Sequence, residues 1–243
     1  MNVDTLREAA LVISNSEYLI ALTGAGISKE SNIPTFRGED GLWRTYDVME
    51  LATPSAFVRN PTLVWEWYEW RQGLISKCDP NPAHNTLVRW EERGLLKTLI
   101  TQNVDGLHRR AGSTKVLEVH GDLWALKCSF CDYQGRLNKP ASGIPACPLC
   151  GKHLRPDVVW FGESLDRAIM SQVYTELEKA DACIVIGTSA LVQPSASFPL
   201  IVKQRGGPII EVNIEKTMLT SAVDFHLSGK AGEILPALDE LLT

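Results

Sequence analysis

Residues 18–28 read YLIALTGAGIS, a continuous apolar run that ends in a glycine turn. A run of this kind, without polar alternation, predicts a strand buried on both faces, as in parallel sheets. Similar runs follow at 96–101 (LKTLIT), 116–119 (VLEV), 182–187 (ACIVIG) and 208–212 (PIIEV). Helical spacing occupies 166–179, about 196–204 and 232–242. It also precedes the first strand at 4–16, where Leu6, Ala9, Ala10 and Ile13 share one face. Apolar strands alternating with helices predict an α/β fold: a doubly wound, Rossmann-like parallel sheet covered on both sides.

Two stretches break that alternation. Residues 39–92 lack apolar β-runs and are rich in aromatics, including Trp43, Phe57, Trp65, Trp67, Tyr68, Trp70 and Trp90, which reads as a helical insertion. Residues 121–158 hold four cysteines among Gly and Pro turns and read as a small metal-stapled module. The expected division is therefore a Rossmann-like domain from 1–38, 93–120 and 159–243, with the other two stretches forming a smaller domain. The full length of 243 residues suits one α/β unit carrying such an insertion.

Composition narrows the function classes. Hydrophobic residues make up 44% and charged residues 22%, enough apolar surface for a true core. A net charge of -5 offers no global attraction for a polyanion, so nucleic-acid binding is not expected. The first residues include Asp4, Arg7 and Glu8 instead of a basic leader, and no apolar run approaches the ~18–20 residues that span a membrane. A cytoplasmic protein with reduced thiols is the expectation.

Of six cysteines, Cys128, Cys131, Cys147 and Cys150 form two C-x-x-C pairs with fifteen residues between them, while Cys78 and Cys183 stand alone. Each C-x-x-C turn supplies two thiolates, and two turns complete a tetrahedral sulfur site for zinc. Four cysteines leave no open coordination position, so the ion would be structural. The competing reading is a pair of disulfides, which a reducing compartment disfavours.

Several strand ends carry small or polar residues. Gly24-Ala25-Gly26-Ile27-Ser28 stands where a phosphate-binding turn belongs, although Lys29 replaces a third glycine and no acidic residue follows about 20 positions later. Taken alone, such a turn is more often an ordinary left-handed bend. The adjacent SNIPTFRG (31–38) offers Phe36 and Arg37 to cover a ligand. Thr101-Gln102-Asn103-Val104-Asp105, His120, Gly187-Thr188-Ser189 and Asn213 close the other runs. Helix capping would explain Asn103 or Asp105 singly. Together these ends define a rim, on which His120 is a credible general base.

The ordered set GAGIS (24–28), IPTFRG (33–38), TQNVD (101–105), VHG (119–121), the cysteine quartet, VVWFGE (158–163), GTS (187–189), EVN (211–213) and GKAGE (229–233) resembles the sirtuin family of NAD-dependent protein-lysine deacylases. The resemblance runs across nearly the whole chain. It implies NAD as a consumed co-substrate and one structural Zn2+. The pyrophosphate would lie near Gly24, Ala25, Gly26 and Ser189, with Ile27, Phe36, Arg37 and Thr188 also lining the cofactor. Adenine and its ribose would lie near Gly187, Asn213 and Ala231. Gln102, Asn103 and Asp105 would frame the nicotinamide riboside, with Asn103 and His120 catalytic. The acyl oxygen would attack ribose C1′ as nicotinamide leaves, and His120 would then take a ribose hydroxyl proton. An acyl-lysine protein or peptide would add as a strand beside Val159, Trp160, Phe161 and Gly162.

Tyr68 and Arg71 stand three apart, on one helix face. Arginine's fork suits a carboxylate, and the tyrosine hydroxyl can donate a second hydrogen bond. The pair, together with Thr35 after Pro34 in the loop, resembles the sirtuin class that removes succinyl and malonyl groups; without the family, an arginine reaching solvent from an aromatic-rich helix is the plainer reading. Two positions depart from the family pattern. Asn32 replaces a glycine, and Gly106 replaces a polar residue after Asp105. ADP-ribosyl transfer from the same NAD pocket, and a nucleotide-holding zinc module without chemistry, are the rival functions.

Overall fold

The computed structural model describes residues 3–36, 41–42 and 45–242. Its centre is a six-stranded parallel sheet of β1 (Leu19–Thr23), β2 (Leu96–Thr101), β3 (Val116–Glu118), β7 (Ala182–Ile186), β8 (Ile209–Asn213) and β9 (Phe225–Ser228), ordered β3-β2-β1-β7-β8-β9. The chain moves outward from β1 to β2 and β3, then returns to β1's other side with β7. That reversal opens a crevice at the carboxyl ends of β1 and its neighbours, where ligands of doubly wound sheets bind.

Alternation along each strand builds two cores. Leu19, Ala21, Leu99, Ile184 and Ile186 face α1 (Val3–Asn15), α5 (Pro82–Glu92) and α9 (Ala231–Glu240). Ile20, Leu22, Ile100, Cys183 and Val185 face α7 (Arg167–Lys179) and α8 (Phe198–Gln204). Cys183 is thus a plain core residue.

A second layer stands over the crevice. It holds α2 (Val48–Leu51), α3 (Pro54–Arg59), α4 (Pro61–Ile75) and a three-stranded antiparallel sheet of β4 (Gly121–Cys128), β5 (Gln134–Arg136) and β6 (Leu154–Val158). These share a third core around Trp65, Trp67, Leu123, Leu154 and Trp160. The Trp65 indole N–H donates to the Leu154 carbonyl at 2.8 Å, tying α4 to β6.

Helix α5 sits apart from the insertion it was expected to belong to. Its Leu87 and Trp90 lie in the core under the parallel sheet. Asp239 of α9 accepts from Arg89 and Trp90 of α5 and from Arg93 at that helix's C-cap, pinning the two helices together. Strand β9 was not anticipated: FHLS is four residues long and carries a histidine and a serine, so it gives no apolar run. The 196–204 helix is a 3₁₀ turn at Ser195–Ser197 followed by α8.

Candidate active site

The GAGIS turn begins as β1 ends and runs into a 3₁₀ helix, Ala25–Ser31. The glycines also serve a purpose within the chain. The Gly24 and Gly26 amides donate within the chain, to the Ile186 carbonyl at 3.0 Å and the Gly187 carbonyl at 2.7 Å. A Cβ on Gly26 would stand 2.7 Å from the Gly187 Cα, and one on Gly187 (φ +60°) would stand 2.4 Å from the Ile27 nitrogen. The glycines therefore let two strand-end loops interlock, and a ligand meets the face this contact creates. Asn32 takes the left-handed conformation (φ 62°, ψ 25°) that its family-typical glycine would allow. Gly106 is also left-handed (φ 77°), and a Cβ there would press to 3.3 Å of the Trp124 ring. Neither departure disturbs the turn it occupies.

Beyond β2, the rim is fixed by a dense set of hydrogen bonds. Thr101 Oγ1 accepts from Thr23 Oγ1 at 2.8 Å and from the Asn103 amide at 3.0 Å. Asn103 Nδ2 donates to the Gly24 carbonyl at 3.1 Å, and Gln102 Nε2 reaches Thr188 Oγ1 at 3.0 Å. The buried Asp105 carboxylate accepts from Ser28 Oγ and from the Leu107 amide, both at 2.8 Å. Burial pushes its carboxyl pKa up, while those two donors and the Arg71 charge pull it down. Across the crevice, Asn213 Nδ2 donates to the Thr188 carbonyl at 2.8 Å, joining the end of β8 to the loop after β7.

His120 stands between β3 and β4, with Nδ1 3.0 Å from the Gln102 carbonyl oxygen. A carbonyl only accepts, so Nδ1 carries a proton, and in the uncharged form of the ring it is Nε2 that carries the lone pair. His84 and His108 have a different place. Both are buried, with ring centroids 4.9 Å apart. Burial lowers the His84 pKa to about 4 and the His108 pKa well below the usual histidine range. His108 Nε2 lies 2.9 Å from Thr23 Oγ1, supporting the floor beneath Asn103.

A cleft of about 1510 Å3 is lined by Gly24–Gly26 on one wall, Gly187, Thr188, Ser189, Asn213 and Ala231 on another, and Gln102, Asn103 and His120 between them. Phe36, Tyr68, Arg71 and 158–162 line its far end. Ile27 is fully buried beneath the turn, and Asp105 lies behind Ser28; neither lines the cleft. Arg37 lies outside the described residues.

The far end is built on α4. Tyr68 and Arg71 are both almost fully buried. The Arg71 guanidinium lies 4.4 Å from the Phe36 ring centroid and 5.1 Å from that of Trp67, and among the described residues no carboxylate forms an ion pair with it. Burial draws its pKa down to about 10. Tyr68 Oη accepts from the Trp160 indole N–H at 2.7 Å, and burial raises its pKa to about 12. The segment beside them spends its amides internally: Val159 donates to the His120 carbonyl, Trp160 to Glu163 Oε2 and Phe161 to the Ala52 carbonyl, each at 2.9 Å. A strand laid on 158–162 therefore cannot draw on those three N–H groups, which limits the expected mode of addition.

The cysteine quartet meets as expected. All four Sγ atoms lie within 4.8 Å of one another, with neighbouring pairs at 3.5, 3.5 and 3.6 Å. A disulfide needs about 2.05 Å, whereas the edge of a tetrahedron with Zn–S bonds of ~2.3 Å is ~3.8 Å. The donor set fits a structural zinc ion. The four cysteines are the group of possible metal ligands found among the described residues. No described helix is long and apolar enough to cross a membrane.

Residue reading alone missed the supports: Ser28 under Asp105, His108 under Thr23, and Arg155 with Glu163 around Trp160. Only Ser28 and Glu163 had a signal, as members of GAGIS and VVWFGE.

Comparison with known proteins agrees with this geometry. The Sir2 family pattern matches residues 24–194. An NAD-dependent protein deacylase of Pyrococcus abyssi is 52% identical over 236 residues, covering 94% of each chain. The crystal structure of a Sir2 homologue–NAD complex superposes with a TM-score of 0.93 at 49% identity, covering 97% of this chain and 93% of that one. A mutant Sir2 homologue in complex with 2′-O-acetyl ADP ribose gives 0.90 at 50% identity, covering 100% and 95%. With the family pattern spanning most of its length and such likeness across whole chains, the protein belongs to the Sir2 family.

Proposed function

We propose that the chain is an NAD-dependent protein-lysine deacylase that removes succinyl and malonyl as well as acetyl groups, leaving nicotinamide, O-acyl-ADP-ribose and free lysine. The whole-chain likeness to NAD-dependent deacylases supports the reaction. On this reading a large nucleotide-binding domain, with α5 counted in it, faces a small domain that receives the acyl chain.

When bound, NAD supplies an electrophilic ribose carbon with nicotinamide as its leaving group. The residues of this chain hold and deprotonate. Gln102 and Asn103 orient the riboside from a floor stiffened by Thr101 and Thr23. His120 Nε2 accepts the proton of a ribose hydroxyl, because the Gln102 carbonyl keeps Nδ1 protonated. Gly187, Asn213 and Ala231 bracket the adenosine half.

The acyl preference rests on Arg71. Desolvating a cation costs several kcal/mol, whereas each cation–π contact offsets only about 0.5–2 kcal/mol. Phe36, Trp67 and the charge of the Asp105 carboxylate offset part of that cost, and none of them supplies the guanidinium with an ion-paired carboxylate in the cleft. Tyr68 Oη, with Trp160 as its only hydrogen-bond partner among the described residues, also has a proton to donate. Two donors facing one cleft fit an acceptor-only group, a carboxylate at the end of the acyl chain.

Arg71→Met is expected to lower kcat/KM for a succinyl-lysine peptide by roughly 10²-fold or more, as the loss of a buried charged pair implies, with a far smaller effect on an acetyl-lysine peptide. Steady-state assay of both peptides with NAD tests this. Equal losses would remove the carboxylate reading.

A further inference from the structure

We infer that Trp160 is a positioning residue for acyl selectivity: its indole N–H occupies the Tyr68 hydroxyl oxygen and so directs the Tyr68 proton into the acyl pocket. This rests on the carboxylate reading proposed above and extends it to a residue that need not touch the carboxylate.

A phenolic O–H prefers the plane of its ring, which gives it two orientations. A hydrogen bond received on one side of the oxygen leaves the proton the other side. Trp160 Nε1 has a hydrogen and no acceptor capacity, so in the 2.7 Å contact Tyr68 must accept. The Tyr68 proton is then available to a ligand, beside a guanidinium that likewise has only hydrogens to offer.

The arrangement works only if neither ring can turn away, and both are held. Trp160 is 2% exposed, with the Arg155 Cζ 3.3 Å from its ring centroid. Arg155 is fixed in turn by two bonds to Glu163, at 2.6 and 2.9 Å, and a third to the Val158 carbonyl at 2.8 Å. Glu163 Oε2 also takes the Trp160 amide, so backbone and ring are clamped by one carboxylate. Tyr68 is wedged edge-on against Trp67, with ring centroids 4.8 Å apart. Arg155 and Glu163 thereby act on the pocket through a stacked indole.

The test is a double-mutant cycle on the full chain, read as the ratio of kcat/KM for succinyl-lysine to that for acetyl-lysine peptides. Trp160→Phe removes the N–H and keeps an aromatic ring. Replacing Trp160 with benzothienylalanine, a sulfur isostere of the indole, removes the N–H with packing preserved and covers the case in which Phe folds poorly. Each is expected to lower the ratio roughly three- to tenfold, the range of one net hydrogen bond, mainly through KM for the succinyl peptide. In a Tyr68→Phe background the same changes are expected to leave the ratio where Tyr68→Phe alone puts it. An unchanged ratio for the isostere, or losses that add to those of Tyr68→Phe, would overturn the inference while the Arg71 result stands. An unaltered protein that cleaves no succinyl-lysine would overturn the carboxylate reading and this inference together.

Discussion

Replacing His120 with alanine is expected to reduce steady-state deacylation by about 10²–10⁴-fold, the usual contribution of a positioned general base. The expectation follows from one contact. The Gln102 carbonyl accepts from Nδ1, which leaves Nε2 as the proton acceptor in the cleft. Gln102 is itself anchored, its amide bonded to the Thr23 carbonyl at 3.0 Å and its side chain to Thr188. The ring's tautomer is therefore set by a rigid strand end. The backbone of residue 120 survives the substitution, and its carbonyl still receives the Val159 amide. Thermal unfolding should accordingly move little while turnover collapses. Assaying kcat with an acetyl-lysine and a succinyl-lysine peptide checks this; full activity in the alanine variant would remove the base assignment.

Removing the zinc should have an effect of similar size by a different route. Structural zinc sites contribute about 10–16 kcal/mol in isolated peptides, comparable to the roughly 5–15 kcal/mol that stabilises an entire domain. Cys128 closes β4, and Cys147 is buried in the same core as Trp65 and Leu154, in the layer over the crevice. Strand β4 pairs with β6, which carries Arg155 and leads directly into the segment beside Tyr68. Loss of the ion should therefore loosen the acyl pocket as well as the ribbon. Chelation, or Cys131→Ser, is expected to lower Tm by roughly 10 °C or more and to abolish deacylation. Metal analysis should find one zinc per chain. Undiminished Tm and activity in a metal-free protein would contradict the structural role.

How much of this was legible beforehand depended on whether neighbours in the chain are neighbours in space. Each central strand announced itself because burial on two faces demands a continuous apolar run. The edge strand β9 did not, since FHLS has no such run. The cysteine quartet was legible because its spacing is its geometry. Helix α5 misled because its aromatic Trp90 resembles those of the insertion, although it packs beneath the parallel sheet against α9. The glycines have a further reason that the sequence hid: Gly26 meets Gly187, a contact across about 160 residues that no local pattern signals. The Tyr68–Trp160 bond is of the same kind, joining residues 92 positions apart. Residue types and strand ends located the site, and only tertiary packing revealed what holds its side chains in place.

The most direct test of the account is product stoichiometry. The purified protein, given NAD and a succinyl-lysine peptide, should yield one nicotinamide and one O-succinyl-ADP-ribose for each lysine freed, as counted by mass spectrometry. Free succinate formed without consumption of NAD, or ADP-ribose transferred to protein in place of deacylation, would contradict it.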